Sequence, residues 1–388
     1  MKRNLIDRRN IVIAGAAALL AGCQVVPSSG PVSTGPETPT GPEPDATVLP
    51  TDETRHRIAL LVPLSGQNGA VGQSIANATT MAILDTNAEN LRITTYDTSQ
   101  GARAAATKAL ADGNRLILGP LLSQNVSDVS SVTASTNVPL ISFSNDTGVA
   151  GRNVFVMGHI PEQSINRTIG YARSQGANNF GALFPNGNYG ARARSALDNA
   201  LASYGGLLTG SERYNRGNHA IINAAQRLNE KGEYDAVLIA DSARLSTIAS
   251  GEFRKEDGSI TRILGTELWS GETAITRASA LRGSLFSAVS NRRFRRFSES
   301  YETRFGNQPY RIATLGYDAV LLTLRIARDW RVGTNFPTSQ MRDQGGFLGI
   351  DGAFRFSADG VVERAMEVRE VGDGTITTVS AAPSRFSD

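Results

Sequence analysis

The chain has 388 residues but only one cysteine, three histidines and two tryptophans. A lone Cys23 cannot close an internal disulfide, and one thiolate does not make a zinc site. His56, His159 and His219 fall at no metal-ligand spacing such as H-E-x-x-H, so no metal is expected. Lysine is nearly as scarce. Lys2, Lys108, Lys231 and Lys255 are the whole set, and none stands three residues after a serine, which removes the S-x-x-K signature of penicillin-recognising acyl-enzymes. P-loop, G-x-G-x-x-G and G-x-S-x-G patterns are absent as well. The chain therefore reads as non-catalytic, with no cofactor. Its longest early apolar stretch, residues 11–21, is far short of the roughly 20 residues that span a bilayer. Charge is also in short supply. Before Cys23, Lys2, Arg3, Arg8 and Arg9 stand against Asp7 and account for the whole formal net charge of +3. The rest is near neutral, without the basic field that nucleic-acid binding requires.

What stands around the single cysteine is informative. A basic head, an apolar run and small residues lead into Leu20-Ala21-Gly22-Cys23, the n-region, h-region and small-residue pattern of a signal peptide. The four residues resemble a lipobox, at which bacterial lipoproteins are cleaved and lipidated. Residues 1–22 are thus expected to be removed, leaving Cys23 as the lipid-bearing first residue and sole membrane attachment. Arg8-Arg9 leaves both general and twin-arginine export open. Gln24 replaces the aspartate that commonly retains such proteins at the inner membrane, which points to a periplasmic body on the outer membrane. Seven of the fifteen prolines fall between Gln24 and Thr54, among Ser, Thr and Gly. Residues 23–54 cannot bury enough surface to offset their ordering entropy, so they read as a tether. Fully polyproline-like, it reaches on the order of 95 Å at roughly 3.1 Å per residue, and as a flexible coil it averages nearer about 30 Å.

After Thr54 short apolar runs alternate with helical periodicity. "RIALLVPL" (57–64), "LRITTYD" (91–97), "RLILGP" (115–120) and "VPLISFS" (138–144) read as strands separated by helices. The rhythm repeats through "NFGALFP", "LLTGSERY", "YDAVLIAD" (234–241) and "TRILGTEL" (261–268). Continuous apolar strands alternating with helices indicate parallel sheets covered on both faces. The expected class is α/β, and a body of this length holds two βαβ halves. Ligands of such sheets sit at the carboxyl ends of the strands, here on loops rich in hydroxyls, amides and carboxylates.

Seven segments in order resemble the type I periplasmic binding proteins, specifically the branched-chain-amino-acid-binding branch. They are "IALLVPLSGQNGAVGQSIANATTMAI", "YDTSQGARAAATKAL", "LILGPLLSQNV", "VPLISFSNDT", "FPNGNYGARARSAL", "SYETRFGNQPYRIATLGYDAVLLTLRIA" and "FLGIDGAFRFSADG". The resemblance spans about residues 57–370. It implies two Rossmann-like, doubly wound lobes joined by three crossovers, near 158–161, 286–291 and 332–346. Lobe 1 would hold residues 55–158 and 287–332, and lobe 2 residues 159–286 and 333–388. His159 would pack near a crossover.

The same resemblance implies the cleft residues. Ser123, Ser144 and Asp146 fall where neutral donors hold a ligand carboxylate, Tyr189 matches the tyrosine of the D-x-x-Y-G loop, and Glu267 matches the acid that neutralises a ligand ammonium. Read from the residues alone, Ser123 and Asp146 could equally cap helices. Two positions depart from amino-acid binders: Val71 and Asp241-Ser242 stand where aromatics commonly flank the ligand. The cluster "NRRFRRF" (291–297) reads as an amphipathic helix start, or as a surface for an acidic partner or wall polymer. Lipobox, proline-rich tether and type I body together resemble the penicillin-binding-protein activator lipoproteins. That likeness implies a peptidoglycan synthase as partner. The alternative is a transporter receptor for an amino acid or another small polar ligand.

Overall fold

The computed structural model describes residues 54–254, Gly258 and 261–386. Cys23, the leader and the proline-rich tether lie outside the described residues. Among the described residues no helix is long and apolar enough to cross a membrane.

The first lobe is built on a five-stranded parallel sheet. Its order is β2 (Leu91–Asp97), β1 (His56–Val62), β3 (Leu116–Leu118), β4 (Leu140–Ser142) and β5 (Val154–Val156). Alternation along β1 explains the layers. Ile58, Leu60 and Val62 enter a core shared with α1 (Gly69–Thr86) and α9 (Thr314–Ala327). Ala59 and Leu61 face α2 (Ala102–Ala111) and α3 (Ser123–Thr133) on the other side. Burial on both faces is what the unbroken apolar run of this strand requires.

The second lobe carries a seven-stranded sheet. Its order is β7 (Leu207–Tyr214), β6 (Asn179–Pro185), β8 (Ala236–Ile239), β9 (Arg262–Leu264), β10 (Leu285–Val289), β14 (Met366–Val371) and β15 (Ile376–Ser380). Pairing is parallel as far as β10 and antiparallel beyond it. Helices α4 (Pro161–Ser174) and α5 (Asn188–Tyr204) cover one face, and α6 (Asn218–Asn229) and α7 (Ala243–Ser250) the other.

One close approach recurs in both lobes. A Cβ at Gly72 would lie 1.8 Å from the Pro63 carbonyl oxygen, and one at Gly190 would lie 1.7 Å from that of Pro185. At each place a proline closes the strand, as the residue after β1 and as the last of β6, and the following helix returns over it, so only glycine lets the two backbones meet. The two halves are therefore matched at these strand-to-helix turns.

The chain passes between lobes three times. The first passage is residues 157–160, between β5 and α4. The second is residues 290–293, between β10 and α8 (Phe294–Phe305), whose Phe297 and Tyr301 pack with α1 in the first lobe. Residues 286–289, expected to be crossing, are still paired in the second sheet. The third passage corrects a sequence expectation outright. Residues 332–346 do not cross: Phe336 and Met341 are buried in the first core, as are Phe347, Phe354 and Phe356 of the small sheet β11 (Phe347–Gly349), β12 (Gly352–Phe356) and β13 (Val362–Arg364). Only at Ala365 does the chain leave for β14, so lobe 1 holds 294–364 and lobe 2 resumes with β14. The physical reason is apolar burial. Five large side chains in 336–356 complete the first core and have no counterpart face in the second.

Candidate ligand cleft and hinge

On the first lobe, Ser123 is the opening residue of α3, yet Leu122 occupies the cap position and no side chain caps the helix. Ser144 and Asp146 lie on the loop after β4. The Ser144 hydroxyl accepts from the Asp146 backbone N–H at 3.0 Å, and Asp146 in turn accepts from Gly148 N–H at 3.0 Å. Asp146 thus caps a short turn, the local role open to it from sequence. Val71 sits in the first turn of α1 and packs against the first core.

On the second lobe the loops after four adjacent strands converge. Tyr189, the second residue of α5, donates to Glu267 Oε1 at 3.1 Å and lies 2.9 Å from Thr266 Oγ1. Glu267 is buried, and its Oε2 has no partner among the described residues. Burial raises its carboxyl to about 7, against the opposing pull of the Tyr189 hydrogen bond and Arg192. The Tyr189 hydroxyl is pushed up in turn, by burial and by the Glu267 charge. Asp241 is buried with both oxygens occupied: Oδ2 accepts from Tyr214 at 2.7 Å and Arg216 at 3.1 Å, and Oδ1 from Ser242 N–H at 2.7 Å. The Arg216 guanidinium also stands 5.8 Å from the Tyr189 ring centroid. Tyr189, Glu267 and Asp241 therefore form one wall, and Ser144 with Asp146 part of the other. Ser123 makes no hydrogen bond to either.

A residue that sequence reading missed joins the walls. Arg192 of α5 holds Glu162 bidentately, at 2.6 and 2.7 Å, and its Nη2 also donates to the Asn145 carbonyl at 2.7 Å. Asn145 lies between Ser144 and Asp146, so a second-lobe cation crosses to the first-lobe loop. The signal was available: in "NYGARAR", Arg192 follows Tyr189 by three and shares its helix face.

Behind the cleft, a buried ionic network ties the first and third passages together. His159 lies 2.7 Å from Asp351, at the first passage as expected from sequence. Arg311 and Thr314 reach the same carboxylate at 2.6 and 3.0 Å. Arg364 donates to Met157 O at 2.6 Å, and its backbone N–H is accepted by Gln163 at 3.1 Å. Burial would raise the Asp351 carboxyl, but Arg311, His159 and Arg364 overcome it and hold the group well below the ordinary carboxylate range. Asp318 accepts from the backbone N–H of Ile350 and Asp351, at 2.6 and 3.2 Å, and is pushed up to about 7 by burial and by the Asp351 charge. Among the described residues no group of three or more His, Cys, Asp or Glu could hold a metal ion.

The family model described as periplasmic binding protein matches residues 56–375. The chain belongs to the periplasmic binding protein family. Solved structures of this family share its two-lobed type I fold. A branched-chain amino acid ABC transporter protein from Rhodospirillum rubrum superposes with a TM-score of 0.74 at 17% identity, over 84% of this chain and 100% of that one. The LpoA C-domain from Haemophilus influenzae, a regulator of PBP1A, gives 0.66 at 19% identity, over 83% and 99%. The substrate-binding protein LivJ from Streptococcus pneumoniae, in complex with isoleucine, gives 0.64 at 17%, over 85% and 100%. Two curated relatives are similar in sequence. One is an uncharacterized Rickettsia prowazekii protein, 28% identical over 193 residues, which are 49% of this chain and 52% of that protein. The other is the penicillin-binding protein activator LpoA of Serratia proteamaculans, 31% identical over 120 residues, 31% of this chain and 18% of that protein. The chain thus spans about half the length of the first relative and under a fifth of the second.

Proposed function

We propose that this binding-fold protein is non-catalytic and acts by contact, as a lipid-anchored activator of a peptidoglycan synthase. The observation that carries the reading is Arg192, which holds Glu162 and reaches from the second lobe to the Asn145 carbonyl of the first. An amino-acid receptor needs an unoccupied acid for the ligand ammonium and free donors for its carboxylate. Here the wall supplies its own cation, Asp241 has both oxygens engaged, and no aromatic stands at Val71 or Asp241-Ser242 to flank an aliphatic ligand. The partial sequence match to an activator LpoA and the fold likeness to an LpoA C-domain support the same reading. Lipidation at Cys23 and the tether of residues 23–54 would hold the body on the outer membrane, facing the wall.

A solute receptor is the second reading, favoured by one observation: Glu267 Oε2 is buried and unpartnered, an open acceptor for a small polar ligand. Ser123, Ser144, Asp146, Tyr189 and Asp241 would complete that site. One pair of measurements separates the two readings. The soluble body, residues 55–388, is expected to stimulate a purified bifunctional synthase with no ligand added and to show no calorimetric heat with leucine or isoleucine. Micromolar binding of either amino acid, with no effect on any synthase, would overturn the activator reading in favour of the receptor.

A further inference from the structure

A cavity of about 710 Å³ opens at the junction of the lobes, away from the cleft residues described above. Its walls come from both lobes: Leu348, Ile350 and Ala353 from the small sheet, and Glu367, Arg369 and Thr378 from one face of β14 and β15. Residues 290–295, the second passage and the start of α8, close one side. Among the described residues, four arginines, Arg292, Arg293, Arg295 and Arg369, line it with one acid, Glu367; Arg293 Nη1 donates to the Gly349 carbonyl at 2.7 Å.

Two features show that this charge is only partly matched, Arg369 being paired with Glu367 while the arginines at the start of α8 face no acid within that turn. Arg369 is 2% exposed, and its Nη1 has no hydrogen-bond partner among the described residues, although Nε is held by Glu367 and Nη2 by Val289 O. A buried guanidinium with an open donor is costly unless an acceptor arrives. The second feature is the start of α8. Its first turn carries no acidic residue and no side-chain cap, while Arg292, Arg293, Arg295 and Arg296 crowd the positive end of the helix dipole. Cations placed there oppose the dipole, and an anion relieves them.

The remaining lining selects among anions. Ile350, Ile376, Leu348 and Pro383 give an aliphatic wall, Leu348 being 55% exposed, and among the described residues no aromatic ring lines the cavity on which a sugar could stack. Carboxylates interspersed with aliphatic side chains fit both features. We infer that this cavity docks an acidic, leucine-rich peptide segment of a partner protein, with Arg292 and Arg295 taking its carboxylates. Because the walls belong to both lobes, occupancy also fixes the angle between them. The inference rests on the contact reading above only in taking the occupant to be a protein.

The test uses the full-length protein and a fluorescent decapeptide alternating aspartate or glutamate with leucine, followed by anisotropy. The wild type is expected to bind it, with affinity falling as salt rises. Binding should drop by roughly tenfold or more with the Asn/Gln counterpart of the peptide, or with Arg292→Glu combined with Arg295→Glu. The double variant separates docking from folding. Acids suit the first turn of α8, so its unliganded melting temperature should rise while its binding is lost. Equal binding of the neutral peptide, equal binding by the double variant, or displacement by a uronic-acid oligosaccharide as effective as by unlabelled peptide overturns the proposal. Failure here and failure of the activator reading are distinguishable. A protein that binds the acidic peptide but stimulates no synthase supports the cavity and removes that reading. One that stimulates but binds no acidic peptide overturns the cavity alone.

Discussion

Asp351→Ala is expected to cost about 3–5 kcal/mol of folding stability, the range for removing one partner from a buried ionic network. The carboxylate is fully enclosed and receives His159, Arg311 and Thr314 within 3.0 Å, with Arg364 at 3.8 Å. Its loss would leave Arg364, whose side chain is wholly buried, facing Asp318 as the one remaining carboxylate of the network. Asp318 can recover part of the loss. It is held near 7 partly by the Asp351 charge, so it ionises more readily once that charge is gone. It cannot replace the contacts to His159 and Arg311, because both its oxygens accept backbone N–H groups of Ile350 and Asp351. Asp351→Asn keeps the shape and one acceptor and should lose distinctly less. Urea unfolding followed by circular dichroism measures both variants. A loss under about 1 kcal/mol for the alanine variant would show that the network is not what holds the passages together.

Much of the frame was legible because its signals are local. The residue limits read for β2, β6 and β7 match those observed, since each is an apolar or alternating run closed by a polar turn. From sequence, β10 reads as part of a crossing. "LFSAV" is five residues without alternation, and nothing in it says on which side of a hinge it lies. The third passage is hard to place from sequence for a similar reason. Residues 332–346 are rich in Gly, Asn, Asp and Gln and resemble a linker, while the two side chains that anchor them, Phe336 and Met341, are isolated and carry no period. The hinge network was the least legible part. His159, Arg311, Asp318, Asp351 and Arg364 come from distant segments, and charged residues met singly read as surface. In the cleft, the resemblance led to Tyr189 and Glu267, which the fold brings into contact. It did not lead to Arg192, because no motif records a residue that occupies a cleft from within.

Glu267→Gln is expected to make the protein more stable above pH 7, by on the order of 2–3 kcal/mol. In the unfolded chain the carboxyl gives up its proton near 4.5, whereas burial in the folded wall holds it to about 7. Between those values the folded state binds a proton that the unfolded state has released. Raising the pH through this window therefore favours unfolding, and the loss is complete above pH 7. Glutamine has no proton to lose, and its Oε1 can still accept from the Tyr189 hydroxyl that now bonds Glu267. Asp318, also raised to about 7, imposes its own slope on both proteins and cancels in the difference. Urea unfolding across this range should give two curves that meet near pH 4.5 and separate as the pH rises, with the variant above. Parallel curves would mean that Glu267 ionises in the folded wall as it does in water.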